Sequence, residues 1–372
     1  MDRTDHRIRR WPWIAGGLLL AAAAAIWAIL PDGRAARVEH RAGCYDRTKL
    51  PRVDTRADGR QAMQLRVLLW NVEGLPWPIR SGRHAKLRRI ADWLARRREA
   101  GLGPDILILQ KAFTPAASRI AVAGRFHSIL PGPALDDLRH FPAAAPPQDY
   151  HHGARWRKGE GIGKWLDSGL YIATDLPVID HVSAPFAADS CAGYDCLSNK
   201  GGQNIILGIP DAPDSLHIFN THRNSRESSG VSIQRAEIAH FLQTSENDIL
   251  LRGRGAITRR AMIAAGDFNN YRTGDKRGHF ARDPGFRLAA KGPGMTARAA
   301  PMTDIQAWSD AYDLLGYRSS DTLRVEPLAV TTLFDGKNGP RLSDHDAQYV
   351  IVRISWRADA QPSSIPVKSC PV

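Results

Sequence analysis

Hydrophobic residues recur along this chain with two different periods. Between positions 82 and 100 they are spaced as on one face of an amphipathic helix, with many arginines between them. Elsewhere they form short alternating or continuous runs that are typical of strands, at 65–70, 105–109, 168–173, 203–209, 215–219, 261–265 and 347–355. Helices that alternate with apolar strands predict an α/β domain, with two sheets and the helices on their outer sides.

Several of these predicted strands end next to an Asn, Asp or His. The run 261–265 stops at Gly266, and Asp267 and Asn269 follow it. Side chains two positions apart in an extended segment point the same way, so this pair is expected to face one cleft. A single such segment is most simply an Asp/Asn turn. The same pattern recurs at other strand edges, which predicts a shared cleft: Asn71 and Glu73, Asn220 and His222, Asp344 and His345.

The N-terminus has a different pattern. Residues 1–10 are polar and contain four arginines, and residues 11–30 follow without a charge. That length spans a bilayer as a helix, and its tryptophans lie near its ends, as interfacial aromatic residues do. We therefore expect a short cytoplasmic segment at 1–10 and an uncleaved signal anchor at 11–30. A cleaved signal peptide is the alternative, with Ala35-Ala36 as a possible site.

The four cysteines bear on where the soluble part resides. Cys191 and Cys196 are close in sequence, whereas Cys44 and Cys370 lie at the two ends of the soluble part. This spacing predicts one local disulfide and one that joins the termini. An even number of cysteines behind an export segment is typical of an oxidising compartment, so we expect the domain outside the cytoplasm. Four unpaired thiols are the alternative.

The remaining segments lack a clear period. Residues 31–64 are charged and are predicted to be a tether, and 357–372 a C-terminal tail. Residues 131–165 are rich in Pro, Ala, Gly and His and predict a long loop over a site or toward a membrane. The net charge of +13 favours polyanions such as nucleic acid, anionic lipid head groups and phosphate esters, without choosing among them.

Six segments together resemble the endonuclease/exonuclease/phosphatase superfamily, which includes DNase I-like nucleases, inositol phosphatases and sphingomyelinases. The resemblance covers about residues 65–356 and implies a four-layered α/β sandwich of two mostly antiparallel sheets flanked by helices. In chain order the motifs are Trp70-Asn71-Val72, Pro104-Asp105-Ile106-Leu107-Ile108-Leu109-Gln110, Ser168-Gly169-Leu170, Asn220-Thr221-His222, Gly266-Asp267-Phe268-Asn269 and Ser343-Asp344-His345.

The resemblance implies hydrolysis of a phosphodiester with Mg²⁺ or another divalent cation as cofactor. Mg²⁺ prefers oxygen ligands and keeps several waters, so a few carboxylate and amide groups are sufficient to hold it. In the implied arrangement Asn71 lies beside the metal, and Asp267 and Asn269 position the attacking water and the phosphate.

The same resemblance assigns roles to two histidines. His222 is expected to contact a phosphate oxygen. His345 is expected to be the general base or its protonated equivalent, with Asp344 beside it in the motif.

One departure from the family pattern concerns the metal. The family has a metal-binding Glu where this chain has Lys111. An ammonium cannot coordinate a cation, although it can bind a substrate phosphate. Glu73 is a candidate replacement ligand if the chain after Asn71 stays extended, and a weakened or inactive metal site is the alternative.

A second departure concerns the carboxylate that orients the C-terminal histidine in many relatives. The expected strand motif is absent before Ser343. Asp335 or Asp310 is a candidate for the carboxylate that orients His345.

The substrate has three interpretations. The segments 71–76 and 195–201 resemble the sphingomyelinase branch, in which Lys200 would hold a phosphate, and a membrane tether would keep the domain near lipids. The basic charge suits an extracytoplasmic nuclease instead. Lys111 alone favours a non-catalytic domain that binds phosphorylated ligands.

Overall fold

The computed structural model describes residues 37–77, 79–143, 145–225, 230–252, 259–269, 286–289, 296–297, 312–337, 339–363 and 368–371. The predicted N-terminal segment 1–10 and signal anchor 11–30 lie outside these residues. Within the part of the chain that is described, no helix combines the length and the apolar character needed to cross a membrane.

The described elements alternate as the hydrophobic pattern predicts. The strands are β1 (Val53–Thr55), β2 (Arg60–Asn71), β3 (Ile106–Gln110), β4 (Ser128–Pro131), β5 (Tyr171–Thr174), β6 (Val178–Pro185), β7 (Gly201–Leu207), β8 (Leu216–His222), β9 (Met262–Asp267), β10 (Arg287–Leu288), β11 (Thr296–Ala297), β12 (Asp313–Arg318), β13 (Arg324–Leu333) and β14 (Ala347–Arg357). The α-helices are α1 (Arg83–Glu99), α2 (Pro115–Ala123) and α3 (Ile233–Arg252). Four short 3-10 helices lie at Arg47–Lys49, Gln148–Gly153, Trp156–Lys158 and Gly193–Leu197.

The strands form two sheets. The first has the order β11-β13-β14-β2-β3-β5-β4, with β1 beside β2, and the second has the order β10-β12-β9-β8-β7-β6. The β2/β3, β8/β9 and β11/β13 pairs are parallel and the other described pairs are antiparallel. Both sheets are therefore mostly antiparallel, as predicted.

The continuous apolar run at positions 67–70 of β2 follows from burial on both faces of the strand. Leu65, Val67 and Leu69 lie in the core between the two sheets, whereas Leu68 and Trp70 lie in the core under the helices. Successive side chains of a strand point to opposite faces, so the part of a strand that lies between two cores is apolar at successive positions.

Helices cover the outer faces of the sheets. α1 contributes Leu87, Ile90 and Leu94 to the core outside the first sheet, and α2 contributes Ala117 and Ile120 to the same core. α2 begins after Thr114, whose side chain accepts a hydrogen bond from the Ala117 backbone N–H. α3 contributes Leu250 to a smaller core on the second sheet. This arrangement is an α/β sandwich.

Two disulfides join the cysteines in the predicted pairs, Cys44–Cys370 and Cys191–Cys196. The first bridge ties both ends of the described chain to the domain. Part of the predicted tether 31–64 packs on the domain, because Tyr45 is buried and residues 53–55 and 60–64 belong to β1 and β2. Part of the predicted tail 357–372 is fixed as well, since the Cys370 backbone N–H donates to Tyr45 O.

Candidate active site

Strand pairing brings the polar strand ends to one edge of the sandwich. In the parallel β8/β9 pair His222 lies opposite Asp267, and in the antiparallel β9/β12 pair Asp313 lies opposite the same Asp267. A Cβ at Gly266 would stand 2.3 Å from Thr221 O, so this close approach of β8 and β9 requires a glycine. In the first sheet Asn71 ends β2, and β14 begins just after His345.

Asp267 is the centre of the cluster and is almost fully buried. Its Oδ2 accepts a hydrogen bond of 2.7 Å from Asn71 Nδ2, and its Oδ1 accepts one of 3.0 Å from the Asn269 backbone N–H. The Nε2 atoms of His222 and His345 lie 3.4 Å and 3.8 Å from Asp267 Oδ2. The residues predicted from separate motifs therefore meet at one carboxylate.

Asn269 reaches the cluster in a different way from the one predicted. Its φ is 47°, so the chain leaves the extended conformation after Asp267. The Asn269 side-chain amide donates to Arg223 O at 2.9 Å. Its backbone, rather than its side chain, contacts Asp267.

His345 forms a pair with Asp313. His345 Nδ1 lies 2.7 Å from Asp313 Oδ2, and Gln348 Nε2 donates to Asp313 O at 2.7 Å. Burial by itself lowers the pKa of His345, but the charges of Asp313 and Asp267 outweigh burial and raise that pKa to about 9. The imidazole is therefore protonated at neutral pH.

Asp313 was not among the residues proposed from the sequence. Asp335 was, but its carboxylate accepts a hydrogen bond from the Lys337 backbone N–H in a turn, and Asp310 lies outside the described residues. Asp313 directly precedes the apolar Leu314. An Asp at the edge of an apolar strand is the sequence feature by which Asp313 could have been identified.

The main chain around His345 is fixed by contacts to β2. Trp70 Nε1 donates to His345 O at 3.0 Å, and Ser343 Oγ donates to Asn71 O at 2.6 Å. These contacts hold the loop before β14 against the end of β2, which places the imidazole beside Asp267.

His222 is buried and neutral. Burial, followed by the positive charges of Lys200 and Lys111, holds the pKa of His222 well below its usual value. Its Nε2 lies 3.2 Å from Lys200 Nζ. The same Nε2 lies 3.4 Å from Asp267 Oδ2, so the imidazole stands between an ammonium and a carboxylate.

Lys200 is the predicted phosphate-binding lysine, and it is fully engaged within the protein. Its Nζ lies 2.6 Å from Asp195 Oδ1 and donates to Arg223 O at 3.0 Å, in addition to its contact with His222. Burial lowers the pKa of Lys200, and Asp195 opposes that effect.

Lys111 directly follows β3 and faces the cluster from the first sheet. Its Nζ lies 3.5 Å from Asp344 Oδ2, and its side chain keeps 18% of its surface exposed. Burial lowers the pKa of Lys111, but the charges of Asp344 and Asp267 outweigh burial and raise it. The predicted substrate-binding lysine is thus a cation at the edge of the site, paired with the predicted catalytic Asp344.

Glu73 does not stay on the strand edge. Its φ is 49°, so the chain turns after Asn71, and its carboxylate lies 2.8 Å from Arg80 Nε and 3.1 Å from an Arg83 guanidinium nitrogen. Two guanidinium groups therefore engage the carboxylate. This arrangement argues against the metal-ligand role expected for Glu73.

The described residues do not fit the Mg²⁺ site that the family resemblance implies. Ligand atoms of Asp267, Asp313 and His345 lie within 4.8 Å of one another. However, Asp313 Oδ2 is paired with the imidazole, and both oxygens of Asp267 already accept hydrogen bonds. In addition, the position of the carboxylate expected to be the main Mg²⁺ ligand is taken by the ammonium of Lys111, which cannot coordinate a cation.

The cluster combines an acid and a base in a buried space. The protonated imidazole of His345 can donate a proton, and the carboxylate of Asp267 can accept one. The Lys111 ammonium adds a positive charge beside them. An acid, a base and a cation are the groups that hydrolysis of a phosphate ester requires.

No family model and no curated protein matches this chain. Sphingomyelinase C from Streptomyces griseocarneus matches over 77% of this chain and 99% of its own, with 18% identity and a TM-score of 0.53. Beta toxin from Staphylococcus aureus matches over 77% and 99%, with 14% identity and a TM-score of 0.53. SmcL matches over 78% and 99%, with 16% identity and a TM-score of 0.50. At identities this low the structural similarity establishes the fold alone, and this shared fold agrees with the α/β sandwich that the six motifs predict.

Proposed function

We propose that this protein hydrolyses phosphodiester bonds at the cluster around Asp267. The observation that carries the proposal is the arrangement of two carboxylates about His345. Asp313 lies 2.7 Å from one imidazole nitrogen, and Asp267 lies 3.8 Å from the other. Asp313 holds the imidazole in its protonated form. Asp267 lies close enough to the imidazole for both groups to act on one bound phosphate.

The proposed reaction is attack of a water on phosphorus. Asp267 accepts a proton from that water as the new P–O bond forms. His345 donates its proton to the leaving oxygen as the old P–O bond breaks, and the proton on Asp267 then returns to His345 through solvent. Acid and base each contribute about 10²- to 10⁴-fold to such reactions.

The other residues of the cluster orient these two groups. The amide of Asn71 and the backbone N–H of Asn269 hold the two oxygens of Asp267. His222 is neutral, and its Nε2 contacts both Lys200 and Asp267, so its role is to fix that side of the cleft. Asp344 pairs with Lys111 and sets the position of its ammonium.

The substrate class that we propose is a phospholipid with a phosphodiester head group. One of the neighbouring structures is a sphingomyelinase C. Trp156, Trp165 and Tyr194 are large exposed aromatic side chains, and the Trp165 backbone N–H donates to Leu197 O at 2.7 Å. The 3-10 helix Gly193–Leu197 also carries Asp195, the partner of Lys200. Trp165 and Tyr194 therefore lie on the segments next to the candidate site, and exposed aromatic residues favour a membrane interface.

The proposed location is outside the cytoplasm, on a membrane. The two disulfides support an oxidising compartment. Residues 11–30 form the proposed anchor, which would keep the site near lipids.

A divalent cation is the part of the family resemblance that fits least well. Magnesium ions are bound in a solved structure of a beta toxin variant. In this chain the donor groups expected for such an ion are Asn71 and Glu73, and Glu73 is engaged by arginines. We therefore propose hydrolysis without assigning it a metal ligand set.

Two other functions make different predictions. The net charge of +13 favours a nuclease, whose activity would fall steeply with salt. Lys111 favours a domain that binds phosphate esters without hydrolysing them.

A substrate panel separates these functions. The full chain in detergent is incubated with bis-p-nitrophenyl phosphate, sphingomyelin vesicles and DNA, each with excess EDTA and with Mg²⁺, and the products are quantified. Release of phosphocholine from sphingomyelin, with DNA left intact, is the expected result. Cleavage of DNA alone would replace the lipid proposal with the nuclease, and binding without any hydrolysis would replace it with the non-catalytic domain.

A further inference from the structure

Lys111 lies at the edge of the candidate site, directly after β3. It follows Gln110, which pairs with Asn71 in the parallel β2/β3 register. Its carbonyl accepts a hydrogen bond of 2.9 Å from the Gly74 backbone N–H. Its φ of 52° is unusual for a residue with a side chain, and such a conformation persists where surrounding contacts determine it. The backbone therefore sets the direction in which this side chain leaves the main chain.

The ammonium of Lys111 faces the carboxylates of the cluster. Its contact with Asp344 is 3.5 Å long, and Asp267 and Asp313 are close enough to act on its charge. A divalent cation among the same carboxylates would lie next to a fixed positive charge. Like charges in a partly buried site repel strongly, so the ammonium and an ion compete for this space.

Lys111 and Lys200 differ in how many of their ammonium donors are already used by contacts within the protein. Lys200 Nζ contacts Asp195, His222 and Arg223 O, and its side chain is 4% exposed. Lys111 has a single ion pair among the described residues, and its side chain is 18% exposed. An ammonium has three donors, so Lys111 has donors left for an incoming anion.

We propose that the Lys111 ammonium takes the place of the divalent cation, binding a non-bridging oxygen of the substrate phosphate, so that phosphate binding and hydrolysis by this protein require no metal ion. The hydrolysis part rests on the function proposed above, whereas the binding part does not. The ammonium donates a hydrogen bond to the phosphate and neutralises its negative charge, which a metal ion would otherwise do.

The test compares the full chain in detergent with three variants: Lys111→Gln, Lys111→Glu and the control Lys86→Glu. Lys86 is exposed on α1, so its substitution reproduces the charge change away from the site. Three quantities are measured for each protein. They are binding of inorganic phosphate in EDTA by calorimetry, binding of Mn²⁺ by electron paramagnetic resonance, and hydrolysis of bis-p-nitrophenyl phosphate with EDTA and with Mg²⁺. Thermal unfolding verifies that each variant is folded.

The expected results follow from changing the one charge at position 111. Lys111→Gln weakens phosphate binding by about 10- to 100-fold, the loss of one charge-assisted hydrogen bond. Lys111→Glu gains a Mn²⁺ site that the unsubstituted protein and Lys86→Glu lack. Hydrolysis by the unsubstituted protein is the same in EDTA and in Mg²⁺.

Three results would overturn the inference. They are phosphate binding that Lys111→Gln leaves unchanged, Mn²⁺ binding to the unsubstituted protein as tight as to Lys111→Glu, and hydrolysis that EDTA abolishes and Mg²⁺ restores. If no protein hydrolyses the ester under any condition, the proposed function fails, and the phosphate and Mn²⁺ titrations still decide the inference.

Discussion

His345 and Asp313 form an imidazole–carboxylate pair with 2.7 Å between Nδ1 and Oδ2. The two residues come from different sheets, because Asp313 begins β12 and His345 precedes β14. The pair therefore exists only when the two sheets are stacked. It links the folding of the sandwich directly to the protonation state of the proposed acid.

The first prediction concerns Asp313→Asn. The charge of Asp313 is the largest influence that raises the pKa of His345 to about 9, so the variant should lose the protonated imidazole at a lower pH. The alkaline limb of the pH–rate profile for bis-p-nitrophenyl phosphate should move to lower pH, and kcat should fall by about 10²- to 10⁴-fold.

The control for this change is Asp335→Asn. Asp335 is one of the two carboxylates that the sequence offered for this role, and it accepts a hydrogen bond from a backbone N–H in a turn. Its substitution should leave the profile in place. An alkaline limb that moves in Asp335→Asn and stays fixed in Asp313→Asn would contradict the assignment.

A second prediction concerns stability and His217, which is buried and whose ring nitrogens have no hydrogen-bond partner among the described residues. Burial, followed by the charge of Arg260, lowers its pKa from 6.5 to about 4. Between these values the unfolded chain binds the additional proton, so the free energy of unfolding should fall as pH drops from 6.5 to 4. This one group should contribute up to about 3 kcal/mol of that loss.

Urea denaturation with intact disulfides at several pH values measures this effect. His217→Leu should be less sensitive to acid than the unsubstituted protein. His84→Leu, at an exposed position of α1, is the control and should retain the full sensitivity. Equal acid sensitivity in His217→Leu and the unsubstituted protein would refute the prediction.

The third prediction concerns Asn220, whose amide joins the two sheets. Its Nδ2 donates to Leu109 O at 3.1 Å and to Tyr171 O at 3.2 Å, and its Oδ1 accepts from Gln110 Nε2 at 2.7 Å. Asn220→Ala leaves these buried groups unpaired and should lower the free energy of unfolding by about 2–4 kcal/mol.

Gln64→Ala removes an exposed amide from β2 and serves as the matched control in the same denaturation experiment. It should change the free energy of unfolding by less than about 0.5 kcal/mol. Comparable losses in the two variants would show that Asn220 does not connect the sheets energetically.

The residues that the sequence located best are those that end an apolar run. Asn71, His222 and Asp267 each end a strand, and the side of the sheet on which they lie follows from the local pattern. Their mutual distances did not follow from it. Those distances depend on the register of the β8/β9 pair and on the stacking of the two sheets, which are long-range properties.

The two residues misjudged from the sequence show the limits of local reasoning. Glu73 was placed by assuming an extended chain, but a φ of 49° turns its carboxylate to Arg80 and Arg83. Asp313 was missed because its significance comes from the antiparallel pairing of β12 with β9. The backbone turn and the pairing partner are both set by tertiary contacts rather than by the neighbouring sequence.

The fourth prediction tests the lipid surface through Trp165, whose side chain is exposed beside the candidate site. Trp165→Ala should lower hydrolysis of sphingomyelin in vesicles by about an order of magnitude, because an interfacial indole stabilises the bound state. Hydrolysis of the soluble bis-p-nitrophenyl phosphate should not change.

Phe241→Ala is the control, since Phe241 is an exposed aromatic residue on α3. It should leave both activities unchanged. Equal losses toward vesicles in the two variants, or a loss toward the soluble ester in Trp165→Ala, would contradict a membrane role for this surface.

The most direct test of the central claim is the release of p-nitrophenol from bis-p-nitrophenyl phosphate by the full chain and by His345→Ala, measured both with EDTA and with Mg²⁺. His345 is the proposed acid, so its removal should lower kcat by at least about 10²-fold in whichever condition the protein is active. His84→Ala should retain full activity. Undiminished hydrolysis by His345→Ala, or no hydrolysis by the unsubstituted protein in either condition, would contradict the assignment of a phosphodiester hydrolase to this site.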